Sequence, residues 1–223
     1  MHLGRARAGA QTLYVQVVGD GHTLNITRST PGGSPSERTL CHVRLRRRRV
    51  RLGLVSDTHG AMDARLIEAL DGCDAVAHAG DIGGAAVLET LARRRRPVIA
   101  VRGNNDIPAK WPRNERRIAR SLPLGAWIDL PGGALVVVHG DQIMPAARRH
   151  SLLRRRYPQA RAVVYGHSHR LSVDQDDVPW VLNPGAGGAV RTFGGPSCLV
   201  LEALAAGWRI EVIRFPLAPN ASA

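Results

Sequence analysis

Between Val50 and Val101 three short apolar runs alternate with two stretches of helical spacing, and this rhythm constrains the fold more than any other feature. Residues 50–55 form an apolar run suited to a buried strand. Met62, Leu66, Ile67 and Leu70 then recur at helical intervals, and Gly72 follows as a stop signal. Residues 75–79 read as a second strand. Leu88 and Leu91 mark a second helix, with Arg93 to Arg96 expected in its last turn, where the helix dipole favours cations. Pro97 precedes a third strand, residues 98–101. Strand, helix, strand, helix, strand within about 50 residues specifies βαβ units and a parallel sheet.

The second half has a different rhythm. Residues 135–138, 162–165, 180–182, 198–201 and 210–213 read as strands, interrupted by one clear helix over about 146–156. Ala205-Ala206-Gly207 reads as the turn of a hairpin joining the last two strands. The expected architecture is a mixed α/β sandwich, without internal repeat. The domain is expected to span 49–217, followed by a short tail, 218–223. Residues 1–48 read as a basic extension rather than part of the fold: turn-rich around Ser29 to Pro35, with a lone strand-like stretch at 14–18 and an arginine run before Val50. That stretch is expected to be dispensable or untranslated, with a functional start near Val43 or Val50. A basic tail for an acidic partner is the competing reading.

Charge adds little to this. The net charge is +13, but Lys110 is the only lysine, and the first 51 residues hold ten arginines against Asp20 and Glu37. An excess that is almost all arginine, about half of it outside the predicted domain, fits a codon bias better than a built binding face; nucleic acid stays open as a partner. Cys41, Cys73 and Cys198 are too scattered for a disulfide framework or a CxxC pair. No apolar run approaches a membrane span or a secretory signal. The expected location is the cytoplasm.

The chemistry lies in five short motifs, each following directly on a predicted strand: Asp57-Thr58-His59, Gly80-Asp81, Gly103-Asn104-Asn105-Asp106, His139-Gly140 and Gly166-His167-Ser168-His169. Loops at the carboxyl ends of strands converge on one edge of an open α/β sheet. Asp57, His59, Asp81, Asn104, His139, His167 and His169 are thereby drawn to one place. Singly, each motif is more often a turn, a helix cap or a packed histidine. Five in order, each at a strand end, are hard to produce by accident. Imidazoles mixed with carboxylate and amide oxygens, without cysteine, suit divalent transition metals. One carboxylate can bridge two ions about 3.5–4 Å apart, which together acidify a water and clamp both oxygens of an in-line displacement.

With Ser56-Asp57-Thr58-His59-Gly60, His78-Ala79-Gly80-Asp81, Val101 to Asp106, His139-Gly140, Gly166 to His169 and Asn183-Pro184-Gly185, the chain from Val50 to about Leu217 resembles the calcineurin-like metallophosphoesterases, and within them the small single-domain YfcE-like branch. The resemblance implies a four-layer αββα sandwich of two mixed sheets. It implies one divalent ion held by Asp57, His59, Asp81 and His169, and a second held by Asp81, Asn104, His139 and His167, with Asp81 bridging. Mn²⁺ is the expected metal, with Ni²⁺, Fe²⁺, Co²⁺ and Zn²⁺ as alternatives. Asp81, Asn104 and His139 are the expected catalytic residues, a metal-bridging hydroxide the nucleophile, and a homodimer the usual assembly. Where much of the wider superfamily reads Gly-Asn-His, this chain has Asn105, an amide that cannot act as a general acid. That departure favours small phosphodiesters over monoesters as substrates. His78, Arg102 and Asn105 are further candidates, for supporting the ligands or for facing the substrate. The competing functions are a scaffold with a degenerate metal site, as in a retromer subunit of the same family, and a nuclease.

Overall fold

The computed structural model describes residues 27–28, 40–93, 96–188 and 191–217. The first βαβ stretch forms as expected. Strand β3 (Arg49–Val55), helix α1 (Ala64–Ala69), strand β4 (Ala75–His78), helix α2 (Ala85–Leu91) and strand β5 (Val98–Ala100) follow one another. β3, β4 and β5 pair in parallel. The hairpin β11 (Ser197–Leu204) and β12 (Gly207–Arg214) adds to β3 antiparallel and completes a five-stranded sheet, β12-β11-β3-β4-β5. A seven-stranded sheet in the order β1-β2-β6-β7-β8-β10-β9 comprises β1 (Thr27–Arg28), β2 (Cys41–Arg44), β6 (Gly125–Leu130), β7 (Gly133–Val138), β8 (Ala162–Val164), β9 (Ser172–Asp174) and β10 (Trp180–Asn183).

Strand alternation makes the layers. Val50, Leu52 and Leu54 of β3 turn inward with Ala75, Ala77 and Ile99, to meet Val43, Ile128, Leu135, Val137 and Val164 of the other sheet. Val55, Val76, Val98 and Ala100 turn outward onto Leu66, Leu70, Val87 and Leu91 of the helical layer. Helix α4 (Arg149–Arg156) covers the outer face of the larger sheet through Leu153, against Val136, Val163 and Val181. The result is the expected αββα sandwich of two mixed sheets. No helix among the described residues is long and apolar enough to cross a membrane.

Three expectations change. The segment up to residue 48 is not wholly outside the fold: β2 pairs in parallel with β6, and its Cys41 and Val43 side chains are buried in the central core. Its alternation of apolar and polar residues puts Cys41 and Val43 on one face, a signal masked by the arginine run that follows. The strand-like stretch 14–18 and the tail 218–223 lie outside the described residues. The arginines after α2 are not in its last turn, because the helix closes at Leu91. Arg96 instead reaches back, donating from Nε to the Leu91 carbonyl (2.6 Å) and from Nη1 to the Leu70 carbonyl (2.5 Å). Finally, β6, β9 and a short helix α3 (Arg116–Ser121) appear where no periodic signal marks them.

Candidate metal centre

The five motifs lie at the carboxyl ends of β3, β4, β5, β7 and β8, three from one sheet and two from the other. Backbone hydrogen bonds sew the loops together: Asp57 N to Gly80 O (3.0 Å), His59 N to Asp81 O (2.9 Å) and Gly166 N to His139 O (3.0 Å). The approach is close enough to demand glycine. A Cβ on Gly103 would stand 2.2 Å from both the backbone nitrogen and Oδ1 of Asp81, and one on Gly80, which has φ of +91°, would stand 2.7 Å from His139 Nδ1.

Among the described residues six non-glycines have positive φ. Five of them are predicted ligands: Asp57 (54°), His59 (48°), Asp81 (56°), His167 (65°) and His169 (56°). Such backbone strain persists only where the surrounding structure enforces it, and it gathers at functional sites. The sixth is Arg191 (55°), which no sequence pattern singles out.

The structure brings all seven predicted ligands together. His139 Nδ1–H donates to the Ala79 carbonyl (2.8 Å), which leaves the Nε2 lone pair facing Asn104 Oδ1 at 3.0 Å and Asp81 Oδ2 at 3.5 Å. His167 Nδ1 meets the same Asn104 oxygen at 3.1 Å. His169 Nδ1–H donates to the Arg191 carbonyl (3.2 Å), so its Nε2 lone pair faces His59 Nε2 at 3.2 Å and Asp57 Oδ1 at 3.4 Å. His59 Nε2 lies 3.8 Å from Asp81 Oδ2. Two overlapping groups have ligand atoms within 4.8 Å of one another: Asp57, His59 and His169, and Asp57, Asp81 and His139. Asp57 Oδ2 is buried without a hydrogen-bond partner among the described residues. Acceptors that converge in this way repel unless a cation lies among them, so the donor set fits divalent metal ions.

Burial and mutual charge set the protonation of the metal-free site. Burial pushes the Asp57 carboxyl up to about 7, opposed by the nearby His139 and reinforced by the Asp81 charge. Burial also works against ionised Asp81, but the adjacent His139 and the two hydrogen bonds from Asn105 outweigh it and hold that carboxyl well below the usual range. Burial disfavours a proton on His139, yet its contact with Asp81 prevails and raises it. His59, His167 and His169 are all lowered, chiefly by burial, which keeps them neutral and available as ligands.

The remaining candidates part ways. His78 is fully buried and touches no ligand side chain in a hydrogen bond. Its Nδ1 accepts from Gly80 N–H (3.2 Å), so Nε2–H donates to Thr58 Oγ1 (2.9 Å), and the Thr58 hydroxyl donates to the Ile82 carbonyl (3.0 Å). It therefore ties the loop after β3 to the loop after β4. Asn105 does not face the cleft: its backbone N–H and its Nδ2 donate to the two Asp81 oxygens at 2.8 and 2.7 Å, and its Oδ1 accepts from Lys110 (2.5 Å). Arg102 lines a cavity of about 90 Å³ with His139, Asp141, Arg156 and Tyr157.

Two supports escaped sequence reasoning although their motifs were in view. Asp106 is fully buried and accepts from Ile82 N–H (3.0 and 3.1 Å), Gly83 N–H (3.0 Å), Gly103 N–H (2.9 Å) and Trp111 Nε1–H (3.2 Å). It locks the Asp81 loop to the Asn104 loop. Asn183 donates to the Gly166 carbonyl (2.9 Å) and Ser168 Oγ (3.0 Å), holding the loop that carries His167 and His169.

An αββα sandwich with paired Asp, His and Asn ligands on its strand-end loops defines the metallophosphoesterase class. The chain belongs to the calcineurin-like phosphoesterase superfamily, whose domain model matches residues 50–205. No curated protein matches. Among solved structures it is similar to a predicted phosphoesterase from Streptococcus pneumoniae, at 20% identity and a TM-score of 0.54 over 77% of this chain and 94% of that one. It is also similar to a novel archaeal phosphodiesterase (22% identity, TM-score 0.54, 73% and 99% covered). A third likeness is to wild-type Vps29 of Entamoeba histolytica complexed with Zn²⁺ (18% identity, TM-score 0.57, 75% and 99% covered). At such identities these likenesses establish the shared fold.

Proposed function

We propose that this protein hydrolyses small phosphodiesters with two divalent metal ions, Mn²⁺ foremost, at the centre built by the five loops. The observation that carries the reading is the convergence of unshared acceptor atoms around Asp57, whose buried Oδ2 has no hydrogen-bond partner among the described residues. Asp57, His59 and His169 would hold one ion; Asn104, His139 and His167 would hold the other, with Asp81 between them. When bound, such a pair acidifies a water and stabilises the charge that develops on phosphate oxygens. The protein's part is positioning. Ala79 and Arg191 carbonyls fix the tautomers of His139 and His169. Asn105 fixes the Asp81 carboxylate and, being committed to it, offers no proton to a leaving group. Esters whose leaving group departs unassisted are therefore the favoured substrates, and diesters of acidic alcohols or phenols fit best.

The archaeal phosphodiesterase among the structural neighbours agrees with this reading, and the complete ligand set argues against a scaffold with a lapsed site. Free, buried cysteines at 41, 73 and 198 suit a reducing, cytoplasmic setting. The test is a hydrolysis screen of the Mn²⁺-supplemented protein against bis(4-nitrophenyl) phosphate, cyclic nucleotides and 4-nitrophenyl phosphate. Diester turnover abolished by chelator and restored by Mn²⁺ is expected. Turnover that survives chelation, or is confined to monoesters, would refute the proposal.

A further inference from the structure

Beside the metal centre stands a wall that the ligands do not use. His167, Ser168, His169, Arg191, Thr192 and Phe193 line a cleft of about 400 Å³. Two predicted ligands thus share its lining with three consecutive residues of the loop that precedes β11.

Arg191 is held there deliberately. Its backbone adopts a positive φ of 55°, and its carbonyl receives His169 Nδ1–H. The guanidinium Nη2 lies 3.4 Å from His59 Nε2. A permanent cation beside a centre built for two dications is repelled by them, unless an anion sits between. A phosphodiester is such an anion: one oxygen can face the metals while another accepts from the guanidinium. Phe193, one of only two phenylalanines in the chain, is 51% exposed. Its ring is steadied by Arg170, whose guanidinium carbon lies 4.1 Å from the ring centroid. The Thr192 hydroxyl between these two residues is buried and makes no hydrogen bond among the described residues. Exposed aromatic rings beside arginines, in a cleft that handles phosphate esters, are suited to stacking on planar groups.

We infer that Arg191 and Phe193 form the recognition wall of this site, Arg191 taking the phosphodiester charge and Phe193 stacking on a planar group esterified to it. The preferred substrates are then phosphodiesters that carry a nucleobase or similar aromatic ring. This rests on the phosphodiesterase reading above and extends it to specificity.

Two esters with one leaving group test it: the 4-nitrophenyl ester of thymidine 5′-phosphate and methyl 4-nitrophenyl phosphate, each with the Mn²⁺-loaded full chain. The wild type should favour the thymidine ester by about tenfold or more in kcat/KM. Phe193→Ala should reduce that preference about 5- to 50-fold, mainly through KM, as expected for loss of base stacking. Phe193→Leu, which keeps bulk without the ring, should reduce it as well. Arg191→Gln should lower kcat/KM on both esters, with partial recovery in Arg191→Lys. Metal content, measured alongside, should stay at the wild-type value in all four variants, which separates the wall from the ligands. Calorimetric binding of thymidine 5′-phosphate against inorganic phosphate supplies a readout independent of turnover, with Phe193→Ala expected to erase the difference. A wild type that binds and turns over both probes of each pair alike overturns the wall, as does an unchanged preference in both Phe193 variants. A metal-loaded wild type that hydrolyses neither ester overturns the phosphodiesterase reading itself, and the binding pair then decides the wall alone.

Discussion

Replacing Asp106 with alanine should destabilise the protein more than removing any single metal ligand. Four donors lose their acceptor: the backbone N–H groups of Ile82, Gly83 and Gly103 and the Trp111 indole. A buried donor left without a partner costs about 1–3 kcal/mol. The Gly83 N–H is near solvent and recovers a bond to water, so three donors bear the loss. Allowing for relaxation of the two loops, the expected cost is about 4–6 kcal/mol, a large part of the roughly 5–15 kcal/mol available to a domain. Asp106→Asn separates the contributions. An amide with its oxygen at the Oδ1 position keeps Ile82, Gly83 and Trp111 but sets an NH₂ against Gly103 N–H, and about 2 kcal/mol should be lost. Urea unfolding monitored by tryptophan fluorescence and circular dichroism measures both, and an unchanged m value would show that the denatured state is not the cause. A loss below about 1 kcal/mol for Asp106→Ala would refute the reasoning that this carboxylate clamps the Asp81 and Asn104 loops.

Other expectations follow from the same contacts. Asn105→Ala frees Asp81 Oδ2 of its side-chain orienter while keeping the backbone bond to Oδ1, and metal affinity should fall about 10-fold or more in a chelator-competition assay, the usual effect of losing a group that orients a ligand; an unchanged affinity would show that the amide is incidental. His78 is lowered by burial to about 3, so the unfolded chain takes up a proton near pH 6.5 that the folded chain refuses; its stabilising share is present above that pH and is lost as pH falls. In the metal-free protein His78→Asn should therefore flatten the stability–pH curve between about pH 6 and 4 by up to about 1.4 kcal/mol per unit relative to wild type; parallel curves would contradict this. Deleting residues 1–39 removes only the two-residue edge strand β1 from the described sheet and should lower the unfolding midpoint little, whereas deleting 1–48 also removes β2 with buried Val43 and should cost about 3 kcal/mol or more; equal midpoints for the two truncates would return β2 to a dispensable extension.

The parallel half of the fold was legible because Val50 to Val101 carries apolar runs of strand length, helical spacing and breakers in one consistent order. The second half was partly legible. β6 opens with Gly125 and breaks its apolar pattern at Asp129, whose carboxylate accepts from Trp127 and Arg44, so its identity as a strand depends on pairing between β2 and β7. β2 alternates correctly but is four residues long and merges into an arginine run. The seven candidate ligands could be read because each follows a strand directly, and topology then brings them together. Asp106 stood inside a motif that was read, but its role depends on donors from three loops that only folding assembles. Asn105 looked like a substrate-facing group because its position in the motif is one where relatives carry a catalytic histidine; here its amide is committed to Asp81. Arg191 had no signal at all, since its position is set by a strained backbone and by a His169 contact across the cleft.

The central claim is that seven side chains on five loops hold two metal ions on a shared carboxylate. Metal stoichiometry tests it most directly: apoprotein equilibrated with Mn²⁺, freed of excess by gel filtration and analysed by plasma emission spectroscopy, for the wild type and Asp81→Ala side by side. The account predicts two ions per wild-type chain and well under one in Asp81→Ala, because that carboxylate serves both positions. One ion or none in the wild type, or two retained without Asp81, would contradict it.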